Sequence, residues 1–490
     1  MRPRIELALS LLLFVLTSCT VGPDYQPPKL DVPAQFTRSV LGGAAPSAPA
    51  DLARWWTSLG DPVLDRLIEQ ALATSPDPKI AAARVREARA GRTAADAALW
   101  PTLGSHAIYT RERRSEGTPF GAIPIISPED GLFDLGFDAS WEIDLFGGNR
   151  RAAEAAAADL DASEEALRDV RVTLLSEVAR DYVGLRALEQ RLAIAQQNIE
   201  AQSHALDLTS DRLRAGLSSE LDVSQAKSLL ASTQAQVPAL ESGIHQTIHR
   251  LGVLVGVAPT ALADELGTPA PIPAAANPDE VAQRIPVGLP ADLLRRRPDV
   301  RRAERQVAAA TARIGVATAD LFPKLSLTGV GGLQATDVSD FFNITSRAFS
   351  VGPAVRWPIF EAGRIRASIE ARDAQQEAAL ETYRKAVLQS LADVEDALVA
   401  YGKDRDRHRS LAEAAQASAR AETLARSLYT SGLGSFYPVL DAQRSRYADE
   451  DALVESERAS VLDLIALYKA LGGGWEESAA SADLSLDRSR

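Results

Sequence analysis

Histidines and glycines supply the few patterns in this 490-residue sequence that could support enzyme chemistry. His245 and His249 lie four residues apart in a predicted helix, a spacing that two metal ligands can have, but no third ligand is apparent. A Gly-Val-Gly-Gly-Leu-Gln run begins at Gly329 in a predicted strand, whereas phosphate-binding loops precede a helix. Catalysis needs an acid, base or nucleophile held by convergent partners. We therefore predict that the protein is not an enzyme and has no metal or other cofactor.

Three acidic residues, Asp134, Asp138 and Glu142, recur at every fourth position of a segment in which apolar and polar residues alternate. Strict alternation over residues 134–144 predicts a strand with one apolar and one acidic face. A strand in the second half of the chain has the same character and places Arg356 on its polar face. The apolar faces of these two strands carry Phe137, Trp141, Phe349 and Trp357.

Two very long helices must position these strands. From Gly148 to about residue 215 the sequence is almost free of Gly and Pro, and leucines recur every seven residues, which predicts a coiled coil. About 67 helical residues would extend for about 100 Å, which few globular domains require. A second long helix is predicted from about Arg364 to Thr430. Gly216 and Gly432 follow the two helices, and each is predicted to form the turn of a helical hairpin.

The only cysteine, Cys19, follows a short N-terminal apolar run that cannot span a bilayer. The sequence Leu-Thr-Ser-Cys that ends at this residue resembles the lipobox of bacterial lipoproteins, in which the cysteine is lipidated and becomes the mature N-terminus. We therefore predict N-palmitoyl and S-diacylglycerol groups on Cys19. Thr20 follows instead of Asp, which by the bacterial sorting rule favours the outer membrane.

The order of elements repeats once, at an offset of roughly 214–222 residues, which predicts an internal two-fold repeat. Each repeat is predicted to contain a helix, two strands, a long helix and a further helix. The predicted strands lie at about 101–112, 134–144, 324–334 and 348–358. The predicted domains are a signal peptide at 1–18, a lipidated tether at 19–60, a first repeat at 61–256, a linker at 257–288, a second repeat at 289–472 and a tail at 473–490.

Charge and composition exclude two other classes of protein. The chain has 66 acidic and 53 basic residues and a formal charge of −13, which argues against nucleic acid as a partner. Apolar residues make up 46% of the sequence, so a protein with many transmembrane helices is not expected.

Four amphipathic strands cannot span a bilayer alone, because their edges would leave backbone groups unpaired in hydrocarbon. Strands from other chains must complete the sheet, and three chains would supply enough strands for a hollow barrel. Asp134, Asp138, Glu142 and Arg356 would then line water, and the apolar face would meet lipid. A soluble β-sandwich is the alternative, although four strands make a poor one.

Several motifs resemble those of the TolC-like outer-membrane efflux lipoproteins of the NodT type. They are CTVGPDYQPP from Cys19, the stretch Leu289–Gly329 that begins LPADLLRRRPDV, and the paired hairpin sequences GLSSELDVSQA and GLGSFYPVLDAQR. The resemblance covers essentially the whole mature chain. It implies an α+β membrane protein, a homotrimer in which four strands per chain form a 12-stranded β-barrel that is continuous with a long periplasmic α-helical barrel.

The resemblance also implies a function. Such proteins are the exit ducts of tripartite resistance–nodulation–division efflux pumps, and small molecules cross them passively from the periplasm to the cell exterior. The expected location is the outer membrane, with a lipid anchor and an extension into the periplasm. The expected partners are a periplasmic adaptor (membrane fusion protein), an inner-membrane pump, outer-membrane lipid and two further copies of the chain, but no nucleic acid.

In this family, side chains of the second helical hairpin close the periplasmic tip. Carried over by motif, Tyr437 and Asp441 would form the constriction, and Arg444 would pair with a carboxylate there. Asp222 and Tyr429 are candidates for a link between the two coiled coils. Three copies of Asp441 around one axis would repel one another unless paired with cations or with Arg444. The plain alternative for Asp441 is an exposed residue in the first turn of a helix.

Two further functions remain alternatives at this point. One is an exit duct for type I secretion, which the same architecture could serve. The other is a coiled-coil periplasmic adaptor or scaffold, although an adaptor would need one helical hairpin flanked by soluble β domains, whereas two hairpins are predicted here.

Overall fold

The structure is a computed structural model that describes residues 20–36, 50–113, 115, 117, 129–273 and 290–476. The chain divides into two compact units. Unit one takes residues 1–29, 84–163 and 302–383, and unit two takes residues 30–83, 164–301 and 384–490, wherever these are described. The predicted signal peptide and Cys19 lie outside the described residues, and so does the predicted tail beyond residue 476.

Most of the described residues are helical. The helices are α1 (Ala50–Ala53), α2 (Pro62–Thr74), α3 (Pro76–Ala97), α4 (Gly148–Arg214), α5 (Glu220–Gln234), α6 (Val237–Val255), α7 (Ala263–Leu266), α8 (Pro290–Arg296), α9 (Pro298–Ala319), α10 (Arg364–Thr430) and α11 (Tyr437–Ala470). Short 3₁₀ helices cover Trp55–Leu59, Val338–Asp340 and Ile344–Ser346. Within the described ranges, no helix combines the length and the apolar character that crossing a membrane requires.

Unit one contains a single antiparallel sheet, with four strands in the order β1 (Thr102–Arg113), β2 (Glu129–Ile143), β3 (Lys324–Ala335) and β4 (Arg347–Arg356). Each strand pairs with the next, so β1 and β4 form the edges. The register places Asp138 opposite Gly104 on β1 and opposite Val330 on β3. Since residues directly opposite share a face, these pairings define the two faces of the whole sheet.

One strand, β2, begins earlier than the alternation pattern predicts. It was expected to begin at about residue 134, but residues 129–133 already continue its ladder with β1. Arg111 and Arg113 lie beside Glu129, and their ion pairs to its carboxylate measure 2.9 Å and 3.5 Å. Cross-strand pairing of opposite charges thus extends the hairpin where apolar alternation has ended.

Corresponding residues of the two halves make the same local contacts. The indole of Trp141 donates a hydrogen bond to the carbonyl of Leu99, and the indole of Trp357 donates one to the carbonyl of Leu321, both at 3.0 Å. In each half the acceptor lies at the end of the helix that precedes the strands. The tryptophans therefore fix strand to helix in the same way twice.

The main apolar core lies in unit two and includes the segment that precedes α2. Leu52, Trp55, Trp56 and Leu59 are each at most 3% exposed, and the ring of Trp55 stacks on that of Tyr468 at 5.2 Å. The prediction of an extended tether up to residue 60 is therefore wrong for its last ten residues. The Pro, Gly and Ala content of the preceding stretch hid the apolar residues that bury themselves here.

The first described residues also pack closely, in unit one. The Val21 amide donates to the carbonyl of Phe146 at 3.1 Å, and Arg151 donates to the carbonyl of Val21 and to the carboxylate of Asp24. Gly22 lies so close to Gly315 that a Cβ on Gly22 would stand 2.4 Å from the Gly315 Cα. We define residues 20–25 as the N-terminal strap.

Buried arginines connect the helices of unit two. Arg297 is 9% exposed and donates to Asp299, to Asp393 on α10 and to the carbonyl of Ala470 at the end of α11. Arg186 is 2% exposed and pairs with Glu189 while donating to the carbonyl of Thr268. Removing one partner of a buried ion pair typically costs about 3–5 kcal/mol, because the other charge is left buried.

One helix of the first hairpin differs from its prediction. A single helix was expected from about residue 219 to Val255, but α5 ends at Gln234 and α6 begins at Val237. Pro238 occupies the first turn of α6. Because proline has no backbone N–H, it cannot continue the hydrogen-bond pattern of the preceding helix.

A carboxyl pair in unit two predicts a pH-dependent stability. Asp463 on α11 lies next to Asp404 on α10, and burial followed by contact with that second carboxyl raises the pKa of Asp463 to about 7. The unfolded pKa of an aspartate is about 3.9. The folded state therefore holds its proton more tightly, so this contribution to stability is full below about pH 4 and is lost as the pH rises towards 7.

We expect Asp463→Asn to stabilise the protein by about 1–2 kcal/mol at pH 8, a reduced figure because solvent reaches part of the pair. Near pH 4 we expect no gain. Thermal unfolding of the detergent-solubilised protein, followed by helical circular dichroism across this pH range, measures the difference. Asp406→Asn, which alters an exposed carboxylate on α10, is the control. An Asp463→Asn effect of equal size at both pH values would contradict the assignment.

Candidate functional site

The two faces of the sheet differ in chemistry as the sequence predicts. Asp134, Asp138, Glu142 and Arg356 share one face, which the register completes mostly with small and polar residues of all four strands, together with Ile108, Leu132 and Val330. The opposite face is apolar and exposed in the single chain. Its exposed large residues include Leu103, Tyr109, Leu135, Phe137, Trp141, Leu327, Phe349, Val351 and Val355. A sheet with these two faces can separate water from an apolar medium.

A histidine that sequence reasoning missed lies at the centre of the polar face. His106 on β1 places Nε2 at 3.3 Å from Asp134 Oδ1 and Nδ1 at 3.6 Å from Asp138 Oδ1. Gln334 on β3 donates to the other oxygen of Asp134 at 3.3 Å. Extending the alternation of β1 would have put His106 on this face, but the cross-strand register is needed to bring it between two aspartates. The polar face thus contains a connected set of charges.

The two hairpin turns, in unit two, are built alike. Gly216 has φ of 73°, and the Leu217 amide donates to the carbonyl of Arg212 at 2.7 Å. Gly432 has φ of 75°, and the Leu433 amide donates to the carbonyl of Leu428 at 3.0 Å. A glycine with positive φ followed by this backward hydrogen bond is the Schellman ending of a helix. Both long helices therefore end in the same backbone motif, which also forms the turn of each hairpin.

The three residues predicted for the gate lie on the first turns of α11. The side chain of Tyr437 is 62% exposed, and those of Asp441 and Arg444 are also exposed. Within the described part of a single chain, no ion pair joins Asp441 to Arg444. All three side chains are therefore free to meet other chains, and their role in a constriction stays a prediction.

The predicted link between Asp222 and Tyr429 does not form within one chain. The carboxylate of Asp222 accepts from the Ser219 amide and from the hydroxyls of Ser218 and Ser219. Partial burial raises the pKa of Asp222, but these hydrogen bonds outweigh burial and hold it below its ordinary value. Asp222 caps its own helix and so is occupied locally; a link from one subunit to another stays a prediction.

Tyr429 instead contacts Arg212. The side chain of Tyr429 is 4% exposed, and the guanidinium of Arg212 lies 4.5 Å from its ring centre and donates to its backbone carbonyl at 2.7 Å. The ring of Phe436 lies 5.3 Å away on the other hairpin helix. The hydroxyl of Tyr429 is buried and has no partner among the described residues. Arg212 thus joins the first hairpin to the second at their tips.

One ion pair and two further hydrogen bonds join the two hairpins away from the tips. Arg191 on α4 forms a bidentate ion pair with Asp451 on α11, with distances of 2.7 Å from Nε to Oδ1 and 3.1 Å from Nη2 to Oδ2. Asn198 on α4 donates to Glu450 on α11 at 3.3 Å. Tyr447 on α11 donates to Gln236 between α5 and α6 at 2.5 Å. Sequence reasoning could not find these partners, because it does not say which faces of the four helices meet.

The two histidines considered for metal binding do not gain a third ligand. His249 lines an open cleft of about 1010 Å³ in unit two, between α4, α6 and α11. Charged side chains of both signs line the cleft, among them Arg180, Asp181 and Glu455, and so do apolar side chains such as Leu188 and Leu254. In the ranges that the structure describes, no three His, Cys, Asp or Glu side chains are grouped to hold a metal ion.

Known proteins resemble this chain over almost its whole length. Residues 67–257 and 289–473 match the family model described as outer membrane efflux protein. The pyoverdine export outer membrane protein OpmQ of Pseudomonas aeruginosa PAO1 is 37% identical over 474 residues, which cover 96% of this chain and 97% of OpmQ. Nodulation protein T of Rhizobium leguminosarum bv. trifolii is 30% identical over 468 residues, which cover 94% of this chain and 96% of that protein.

A solved structure agrees with these relatives. The outer-membrane channel OprN superposes with a TM-score of 0.85 at 36% identity, over 93% of this chain and 100% of the OprN chain. The mixed helix and strand content expected from the sequence is thereby confirmed, as are the predicted family and outer-membrane location. From the matched model, the relatives and the shared fold, we conclude that the chain belongs to the outer membrane efflux protein family and is an outer-membrane efflux channel of the NodT type, a duct rather than a member of an enzyme family.

Proposed function

We propose that three copies of the chain join their sheets into one twelve-stranded barrel and that this homotrimer is the passive exit duct of a tripartite efflux pump. Small molecules would enter from the periplasmic side and leave at the cell exterior through a water-filled lumen. A periplasmic adaptor and an inner-membrane resistance–nodulation–division pump would supply the driving force and the cargo.

The observation that carries the proposal is the pair of unpaired sheet edges. Neither β1 nor β4 has a second neighbouring strand among the described residues. In hydrocarbon each unpaired backbone group would cost several kcal/mol, so a spanning sheet must close on itself. Four strands are too few for closure, and edges of neighbouring chains can pair β4 with β1 around a ring.

The two sheet faces support the same arrangement. In such a ring the apolar face, with Phe137 and Phe349 largely exposed in the single chain, would contact lipid. The face with Asp134, Asp138, Glu142 and Arg356 would line the lumen. The tryptophan contacts and glycine turns that recur in both halves support an internal repeat, in which each half supplies two strands and one helical hairpin.

The relatives favour efflux over the alternatives. OpmQ is named as a pyoverdine export protein of the outer membrane, and OprN as an outer-membrane channel. A periplasmic adaptor would not need a sheet with one exposed apolar face. These points support an efflux duct over an adaptor, and the description of the matched family as outer membrane efflux protein favours it over a type I secretion duct.

The lumen assignment predicts a modest preference for cations, because Asp134, Asp138 and Glu142 outnumber Lys324 and Arg356 on the face that meets the water. Changing Asp134 and Asp138 to Asn should lower the ratio of cation to anion permeability, since six negative charges leave the trimer. Reversal potentials across planar bilayers with a salt gradient measure this ratio. Glu413→Gln, at an exposed position on α10, is the control. An unchanged ratio in the double variant would place these residues outside the conduction path.

We further propose that the tips of the second hairpin form the gate. Tyr437 and Asp441 of three chains would narrow the opening, and Arg444 would pair with a carboxylate of a neighbouring chain. Their exposure and lack of partners within one chain support contacts between chains. The Arg212–Tyr429 and Arg191–Asp451 contacts would hold the second hairpin to the first while the gate is closed.

The gate predicts that Tyr437→Ala combined with Asp441→Ala raises single-channel conductance in planar bilayers several-fold, because the narrowing rings and their charge pairs are removed. Glu220→Ala removes an exposed acid from the first turn of α5 in the other hairpin and should leave conductance unchanged. If the double variant conducts like the unmodified channel, the constriction lies elsewhere.

We also propose that Cys19 carries the lipid anchor that its sequence context predicts. One acyl chain holds a protein weakly and two or more hold it firmly. Metabolic labelling with palmitate should therefore mark the unmodified protein and leave Cys19→Ala unlabelled. Mass spectrometry of the N-terminal peptide is the matching measurement. Label that persists in Cys19→Ala would show that the lipid, if present, is attached at another residue.

A further inference from the structure

Polar side chains interrupt the interior of the four-helix assembly formed by α4, α5, α10 and α11. Gln202 on α4 is 2% exposed, and Glu422 on α10 and Gln443 on α11 are each 3% exposed. Positions of this kind in a coiled coil normally hold apolar residues. Three buried polar residues on three different helices therefore form a feature that needs a physical explanation.

Several atoms of these residues have no hydrogen-bond partner. They are both amide atoms of Gln202, Nε2 of Gln443 and Oε1 of Glu422, judged over the described part of the chain. Each of these atoms is already enclosed within one chain, so a neighbouring subunit could not reach it. A buried polar group without a partner costs about 1–3 kcal/mol relative to the same group in water. The packed arrangement is therefore locally unfavourable.

Ion pairs place these residues at one level of the assembly. Glu422 pairs with Arg446 at 2.6 Å, and Arg446 pairs with Glu450, one turn further along α11, at 2.8 Å. Asn198 on α4 contacts Glu450. Gln202 lies one turn beyond Asn198 towards the tip, at the level of Arg446. We call Asn198, Gln202, Glu422, Gln443, Arg446 and Glu450 the polar layer.

The polar layer lies between two apolar clusters, one at the hairpin tips and one in the core of unit two. The tip cluster consists of Ala205, Ala226, Leu229, Tyr429, Phe436, Val439 and Leu440. The large core of unit two reaches Ala187 on α4, Tyr401 on α10 and Val454 on α11. The layer lies between these limits on all three helices. Unlike the apolar clusters, it has little apolar surface to expose when water enters.

We propose that the polar layer is the hinge at which the tip cluster moves when the duct opens, an inference that rests on the proposed gate. On opening, water would hydrate the unpartnered amides, which lowers the cost of separating the helices at this level. An apolar layer would oppose the same movement, because separation would expose apolar surface. The tip cluster would meanwhile stay packed and move as one body.

The test replaces the amides by an apolar side chain of the same length. Gln202→Met combined with Gln443→Met removes three unpartnered atoms with little change in volume. We expect amide hydrogen exchange in residues 203–216 and 425–440 to slow by about tenfold, since the penalty that favours separation is gone. We also expect spontaneous openings in planar bilayers to become about tenfold rarer. Gln197→Met, at an exposed position on α4, is the matched control and should change neither.

The outcomes separate this inference from the proposed gate. In channels that also carry Tyr437→Ala and Asp441→Ala, the methionine pair should leave the raised conductance of each opening in place and make the openings rarer. If Tyr437→Ala with Asp441→Ala does not raise conductance by itself, the gate assignment fails. The hinge is then still tested by amide hydrogen exchange and by the frequency of spontaneous openings. Unchanged exchange, or slower exchange with unchanged openings, would overturn the hinge. Gln202→Met alone should give a smaller effect in the same direction and serves if the double variant does not fold.

Discussion

The hydrogen-bonding requirement of the peptide backbone is the constraint on which the rest of this molecule depends. Helices satisfy it internally, and the sheet satisfies it everywhere except along the outer sides of β1 and β4. An exposed sheet edge invites pairing with another chain. The same sheet exposes large apolar side chains on one face, which also require cover. A single chain therefore leaves both a sheet edge and an apolar face uncovered, and the proposed trimer would cover them with strands of neighbouring chains and with lipid.

Periodicity was sufficient to predict the elements that carry these deficits. The strict alternation around Asp134 and the near absence of Gly and Pro after Gly148 gave the strands and long helices within a few residues of their bounds. The hairpin glycines followed from their position between long helices. The predictions failed where specific local interactions, and not the hydrophobic periodicity, determine the structure. A cross-strand pairing of charges begins β2 early, Pro238 divides a helix, and buried tryptophans turn part of a proposed tether into core.

Pairwise contacts were harder to predict, because they depend on which helix faces meet. Within one chain the carboxylate of Asp222 caps its own helix and Arg212 lies beside Tyr429, so a link between Asp222 and Tyr429 of different subunits stays a prediction. In the arginine-rich run before α9, Arg297 is both salt-bridged and buried, which the sequence alone does not show. Local interactions compete with long-range ones for the same polar atoms. A single sequence shows the possible local partners of a polar side chain but not its distant ones.

The N-terminal strap has a mechanical consequence. Its backbone is fastened to Phe146 and Arg151, and Gly22 touches Gly315 with no space for a side chain. Thr20, the residue after Cys19, already packs on Gly147. Only one residue would separate a lipid bonded to Cys19 from the packed part of the chain. The lipid could therefore move neither around the channel nor to another depth in the membrane. In the proposed trimer, the acyl chains of the three copies would therefore be attached at fixed positions around the channel.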